Sequence, residues 1–286
     1  LRHLGEKKLK ERLPQIYELA VEYLGVDPAK EPIPVLPAVH YTMGGITADG
    51  RTAAPLPGLF SAGECSSVGI HGANRLGSNS LTELLVFGKV AGEEAVRHAK
   101  AVGHGDAAVL GKLAADSEAS ALALLDRQAP AGGKGERIAT LRRELAKSME
   151  DGCGIYRTAE TMQATCDKLA ELKTRYRATV LDDRSRGWNT EWLLAVELGF
   201  LIDVAQAMAH SALERRESRG SHQRLDSGFT ERDDVNFLQH SLAYFQGDAA
   251  PRIGYGSVKI TSSQPGKRVY GAAGDQADAE RKAAKA

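Results

Sequence analysis

The residues between His40 and Leu81 gather the side chains best suited to chemistry. His71-Gly-Ala-Asn-Arg-Leu-Gly-Ser-Asn-Ser80 sets one guanidinium, Arg75, among small residues and hydroxyl or amide donors, just ahead of a helical pattern. A helix starting there presents free backbone N–H groups and the positive end of a dipole. That end suits an anion, or a ring that becomes negative during reaction. Arg75 can grip a carboxylate or phosphate through two parallel hydrogen bonds. Glu64 follows Gly58-Leu-Phe-Ser-Ala-Gly63, a run that reads as a short buried strand. A carboxylate at a strand's carboxyl end can accept from a ribityl or ribose hydroxyl. His40, in His-Tyr-Thr-Met-Gly-Gly45, places a donor beside a glycine turn where backbone can approach a ligand closely. Taken singly, each residue also fits a tight strand–loop–helix connection with a satisfied histidine and a solvated arginine. Together, a glycine-rich loop, two imidazoles (His40 and His71) and an arginine point to a site for an anionic or aromatic ligand, a cofactor.

These residues need elements to hold them, and periodicity supplies the outline. Leu4, Leu9, Leu13, Ile16, Leu19 and Ala20 recur at helical spacing from Leu1 to Leu24, with Pro14 set to kink or divide the helix. Glu31-Pro-Ile-Pro-Val-Leu-Pro37 forbids regular helix and marks a boundary. From Ala38 to His98 the texture is glycine-punctuated α/β, ending in a helix from about Ser80 to His98. Leu81, Leu84, Leu85, Phe87 and Val90 give that helix apolar surface, and Gly88 and Gly92 are expected to let another element approach. Val102-Gly-His-Gly105 reads as a hinge. Beyond it, helical patterns over about 158–180 and 190–216, with a break at Pro130-Ala-Gly-Gly-Lys-Gly135, suggest a three- or four-helix antiparallel bundle. After Gly220 periodicity fades; Ser257-Val-Lys-Ile-Thr261 alternates like an edge strand, and the last dozen residues read as disordered or a frayed helix. The fold class is therefore α/β plus all-α, closed by a small mixed C-terminal region.

Composition narrows the function. Thirty-seven basic side chains balance thirty-seven acidic ones, which removes any general electrostatic reason to bind nucleic acid. No uninterrupted apolar stretch reaches the roughly 18–20 residues of a spanning helix, so a link to a membrane is expected to run through another subunit. Cys65, Cys153 and Cys166 are far apart and form no C-x-x-C pair, so neither an iron–sulfur cluster nor a structural zinc finds enough thiolates. No metal site is expected. The start at Leu1, without Met or a signal-peptide pattern, reads as a truncation.

Three blocks, His40-Tyr-Thr-Met-Gly-Gly45, Gly63-Glu-Cys-Ser-Ser67 and His71-Gly-Ala-Asn-Arg-Leu-Gly-Ser-Asn-Ser-Leu81, resemble the signature blocks of the fumarate reductase and succinate dehydrogenase flavoprotein family. The similarity continues through Glu217-Ser-Arg-Gly220 and Thr230-Glu-Arg-Asp-Asp234 to Lys267-Arg-Val-Tyr-Gly271. Arg224-Leu-Asp-Ser-Gly-Phe-Thr-Glu231 and the tail resemble the bacterial quinol–fumarate reductase branch more closely. Ser221 stands where that family commonly has Ala, a change given no mechanistic reading.

The resemblance implies FAD as cofactor and hydride transfer between reduced FAD and fumarate, giving succinate in anaerobic respiration. His40 and Arg75 match dicarboxylate-binding, catalytic positions; His40, Tyr41, Glu64, Arg75, Leu76, Gly77, Ser78, Asn79, Ser80 and Leu81 match FAD-contacting ones. It implies four regions: 1–36 the end of a capping domain, 37–101 the C-terminal segment of the FAD-binding domain, 102–219 a helical bundle, and 220–286 a C-terminal region. It further implies an iron–sulfur partner subunit, membrane anchor subunits reached through it, and a place on the cytoplasmic face of the bacterial inner membrane. The family's glycine-rich FAD fingerprint, its flavinylated histidine and its proton-donating arginine match nothing in this sequence. The fragment alone is accordingly expected to be inactive. Succinate dehydrogenase is the same chemistry run toward oxidation. L-aspartate oxidase fits less well at Met43 and Gly63-Glu-Cys-Ser-Ser67. A reading of another class, a non-catalytic helical interaction module, is opposed by the intact His40, Glu64, Arg75 and Asn79.

Overall fold

Pro14 decides how the chain begins. The residue before a proline is pushed out of the helical region, and Leu13 takes φ −134°, ψ 48°. Helix α1 (Glu6–Arg12) therefore stops, and α2 (Pro14–Leu24) starts with the proline in its first turn, so the expected helix is divided rather than kinked. Gly25 closes α2 in the left-handed conformation at φ 65°. These helices and the proline-rich extended stretch make up a first compact unit that ends at Tyr41; a second runs from Thr42 onward. The computed structural model describes residues 2–129, 131, 133–261 and 265–266. The expected disordered tail and the block at Lys267–Gly271 lie outside the described residues.

In the second unit, strands β1 (Ile46–Thr47) and β2 (Ser66–Ser67) pair in parallel and are followed by helix α3 (Asn79–Val102). The run expected as a strand, Gly58–Gly63, contributes only a bridge from Phe60 to Ala53. Its composition suits a strand, but a ladder needs a partner along its length, and pairing passes instead to Ser66–Ser67. A further expectation fails on α3. Leu81, Leu84 and Leu85 are exposed, and a Cβ added at Gly88 or Gly92 would meet nothing within 4 Å. Among the described residues no helix or strand packs extensively on α3; what meets it is the loop before β2, through Phe60 edge-on to His98 and Gly63 close to Leu84.

Helix α4 (Ala107–Leu122) starts on Asp106, whose carboxylate accepts from the N–H groups of Ala108 and Val109. Then come α5 (Ile138–Cys153), β3 (Tyr156–Arg157), α6 (Ala159–Tyr176), α7 (Thr190–Glu214), β4 (Gln223–Arg224), β5 (Gln239–Tyr244) and β6 (Arg252–Ser257). Local signals place the two later helices. Thr158 and Thr161 form a reciprocal capping box at α6, and the Asn189 side chain accepts from Trp192 N at α7. Helices α5, α6 and α7 pack pairwise and share one core, with Leu141, Met162, Leu169, Leu172 and Leu198 fully buried. By length and composition α7 could cross a membrane, although Glu197 and Asp203 interrupt its apolar run. Its apolar residues have another use: Ala195, Leu198, Ile202 and Ala205 lie in the shared core. Burial raises the thiols of Cys153 and Cys166, the latter to about 12, which leaves Cys65 as the exposed cysteine.

Strands β3 and β4 pair in parallel, tying the α5–α6 connection to the chain after α7. Strands β5 and β6 form an antiparallel pair from Gln239↔Ser257 to Tyr244↔Arg252. The strand expected at 257–261 is thus displaced toward the N-terminus. Residues beyond Ser257 have passed the start of β5 and have no ladder partner there.

Candidate functional site

The pairing of β1 with β2 is what brings two of the three sequence blocks together. Ile46 N donates to Cys65 O at 2.8 Å, and Ile46 and Thr47 lie beside Ser66 and Ser67. Gly45 makes this possible: at φ 137° it passes so close to the segment entering β2 that a Cβ would sit 2.5 Å from Cys65 O. Glu64 occupies the turn entering β2, not the carboxyl end of a strand, and its exposed carboxylate accepts from Thr42 N at 3.0 Å. His40, exposed, and Tyr41, half-buried, close the first compact unit, whereas Glu64 and the run Arg75–Leu81 belong to the second.

The third block forms an open loop that turns into α3. Leu76 O accepts from Asn79 N at 3.2 Å, and Ser78 O from Leu81 N at 3.2 Å, so the expected helix starts one residue early. Ser78, the N-cap, stands in the left-handed region at φ 65°, and its side chain caps no helix N–H. Such a conformation costs a non-glycine residue about 1 kcal/mol or more, which the surrounding turn must offset. Leu76, Gly77, Ser78 and Leu81 are exposed, Asn79 and Ser80 half-buried. Arg75 is half-buried, with Nη1 donating to Leu76 O at 3.4 Å. The loop therefore presents a guanidinium, small polar residues and the start of a 24-residue helix on one open surface, an arrangement suited to anions. Among the described residues no His, Cys, Asp and Glu group could hold a metal ion.

Sequence reasoning missed what holds this loop. Glu83 is the buried residue of α3, and His71 Nε2 donates to its Oε2 at 2.6 Å. The pair joins the first residue of the block to the first turns of the helix. A glutamate inside an otherwise apolar helical run was the available signal. Farther along the chain, Ser221 donates twice to Ala73 O, from its N and from its Oγ, both at 3.0 Å. Behind it lies a buried charge network. Glu217 accepts from Arg215 Nη1 at 2.6 Å, Arg219 Nε at 2.7 Å, Arg219 Nη2 at 2.9 Å and Asp233 N at 2.8 Å. His222 is buried next to it, donating from Nε2 to Arg215 O at 3.0 Å and accepting at Nδ1 from Arg157 at 3.0 Å.

This environment keeps the His222 imidazole neutral. Burial, with the Arg157, Arg224 and Arg215 guanidiniums adding to it, lowers its pKa from 6.5 to about 4. Unfolded chains take up this proton near pH 6.5, while the folded chain resists it until about pH 4. Stability from this group is complete above pH 6.5 and falls through that window by about 3 kcal/mol. Burial lowers His210 in the same direction. Glu144, held at about 2 by Arg175 and Lys168, weakens the fold only below its ordinary value of 4.5. We expect the melting temperature of the protein to fall steadily between pH 6.5 and 4.5, and His222→Gln to flatten that slope. A slope that His222→Gln leaves unchanged would assign it elsewhere.

Comparison with known proteins gives the region its context. Residues 1–81 match the family model described as FAD binding domain, and residues 142–270 the one described as fumarate reductase flavoprotein C-term. The chain is 56% identical over 285 residues to the fumarate reductase flavoprotein subunit of a Serratia strain, covering 100% of this chain and 46% of that protein. The chain belongs to the fumarate reductase flavoprotein family. Another fumarate reductase flavoprotein subunit, from Escherichia coli, is 55% identical over 278 residues, 97% of this chain and 45% of its own length. A solved chain of E. coli quinol fumarate reductase superposes with a TM-score of 0.89 at 56% identity, covering 94% of this chain and 45% of that one. The chain thus spans about half the length of the fumarate reductase flavoproteins it matches, and corresponds to their C-terminal portion. Its mixed helices and small sheets belong to that fold.

Proposed function

We propose that this chain is the C-terminal part of the catalytic subunit of a fumarate reductase, in which FAD delivers a hydride to fumarate to give succinate. The observation that carries the reading is the Arg75 loop opening onto the start of α3. The donor set fits the cofactor: an exposed Glu64 carboxylate for a ribityl or ribose hydroxyl, and small polar residues from Gly77 to Ser80 that let a ring lie against backbone N–H groups. Bound FAD would supply the hydride and carry the negative charge left on reduction. Residues His40, Tyr41, Glu64 and Arg75 through Leu81 would contact it.

In this reading Arg75, with His40, grips one fumarate carboxylate and orients the double bond. The guanidinium also stabilises the charge that moves toward that carboxylate as hydride arrives. The start of α3 favours an anionic reduced ring through its dipole and its free N–H groups. Residues 1–36 would end a capping domain, 37–101 complete the FAD-binding domain, 102–219 form an antiparallel helical bundle built on α5, α6 and α7, and 220–286 form the C-terminal region. Electrons would come from an iron–sulfur subunit on membrane anchor subunits, placing the protein at the cytoplasmic face of the bacterial inner membrane. Succinate oxidation by the same groups is the reverse reaction and depends on the partner's potentials. The test is direct. The full-length subunit should bind FAD and reduce fumarate with reduced viologen as electron donor. Protein that binds no flavin would favour a helical interaction module instead.

A further inference from the structure

Gly220 and Ser221 form the tip of a tight turn. Arg219 N donates to His222 O at 2.9 Å, and His222 N donates back to Arg219 O at 3.0 Å. The base of the turn is fixed by the buried Glu217 carboxylate and by the two bonds of the His222 ring. Its tip meets the loop bearing Arg75 at one peptide, that of Ala73. Gly220, at φ 59°, approaches so closely that a Cβ would stand 2.4 Å from Ala73 O and 2.8 Å from Ala73 Cβ. Ser221 then satisfies the Ala73 carbonyl with two donors, its backbone N and its Oγ. A carbonyl oxygen has two lone-pair sites, and here one residue fills both. With a single donor the peptide could pivot about that bond. The second donor removes the freedom, two residues ahead of Arg75.

We infer that Ser221 is a positioning residue: its hydroxyl and backbone N–H together clamp Ala73 and so set where the Arg75 guanidinium meets a substrate carboxylate. The inference rests on the proposed role of Arg75 toward a dicarboxylate. Small displacements of a gripping group weaken binding out of proportion to their size. Loss of one neutral hydrogen bond corresponds to about fivefold in an equilibrium constant.

The experiment uses full-length, FAD-loaded protein carrying Ser221→Ala, which keeps the backbone donor, and Ser221→Thr, which keeps the hydroxyl. The expected result for Ser221→Ala is a KM for fumarate raised about fivefold, with flavin content and kcat near wild type. Amide hydrogen exchange across residues 72–78 should accelerate in parallel, and Ser221→Thr should restore both. Exchange across 72–78 that is unchanged in Ser221→Ala overturns the clamp, whatever the substrate. Faster exchange with an unchanged KM overturns the positioning role. Wild-type protein that turns over no fumarate, while Ser221→Ala still loosens the loop, overturns the dicarboxylate reading and the positioning role with it, and leaves the clamp standing.

Discussion

Arg75→Ala in the full-length subunit should reduce fumarate turnover by about 100- to 1000-fold while FAD stays bound. The size follows from the role. A guanidinium holds the carboxylate with charge-assisted hydrogen bonds that strengthen as negative charge moves onto it, and removing one such donor has this order of effect on kcat. Arg75→Lys should recover only part of the loss, because an ammonium is a point charge without the planar fork that matches a carboxylate. The flavin should persist because the contacts proposed for it are spread over Glu64 and the whole run to Leu81. The measurement is steady-state viologen oxidation by fumarate, with flavin content read from absorbance. Turnover that survives in Arg75→Ala would remove this loop from the substrate site.

The largest expected effect on stability lies away from that loop. Glu217→Ala should destabilise the protein by about 3–5 kcal/mol, the range for deleting one member of a buried ion pair. Glu217 is fully buried and receives Arg215, Arg219 and the backbone N of Asp233. Without it Arg215 keeps Phe237 O, Gln239 O and Ser241 Oγ, and Arg219 keeps Asp234, but both guanidiniums face a cavity where the carboxylate stood. Glu217→Gln preserves the shape and some acceptor capacity, and should do less harm. The midpoint of urea denaturation, followed by tryptophan fluorescence from Trp188 and Trp192, reports the change. A loss below about 1 kcal/mol would mean that the network is peripheral to the fold.

What was legible in the sequence is what depends on neighbours along the chain. Pro14 interrupts the first helix, and the helical patterns expected from about 158 and 190 begin there as α6 and α7, because a proline or a capping side chain acts within one helical turn. The three signature blocks were visible for a related reason: a glycine-rich turn, a lone arginine and a helix start are local chemistry. Strand positions were not legible. Gly58–Gly63 and Ser257–Thr261 have strand-like composition, but a ladder is decided by the other strand, and the partners lay elsewhere.

The apolar pattern on α3 shows the same limit. It marks a face that wants cover without naming what covers it, and among the described residues the loop at Phe60 and Gly63 meets α3 while no helix or strand packs extensively on it. The supports of the site were the least legible part. Glu83 meets His71 across 12 residues, and Ser221 meets Ala73 across 148. The sequence by itself determined the kind of chemistry at this loop, because residue type sets what a side chain can donate or accept. Only the tertiary structure decided which of many ordinary residues hold Arg75 in place, because a hydrogen bond depends on where two atoms finish in space.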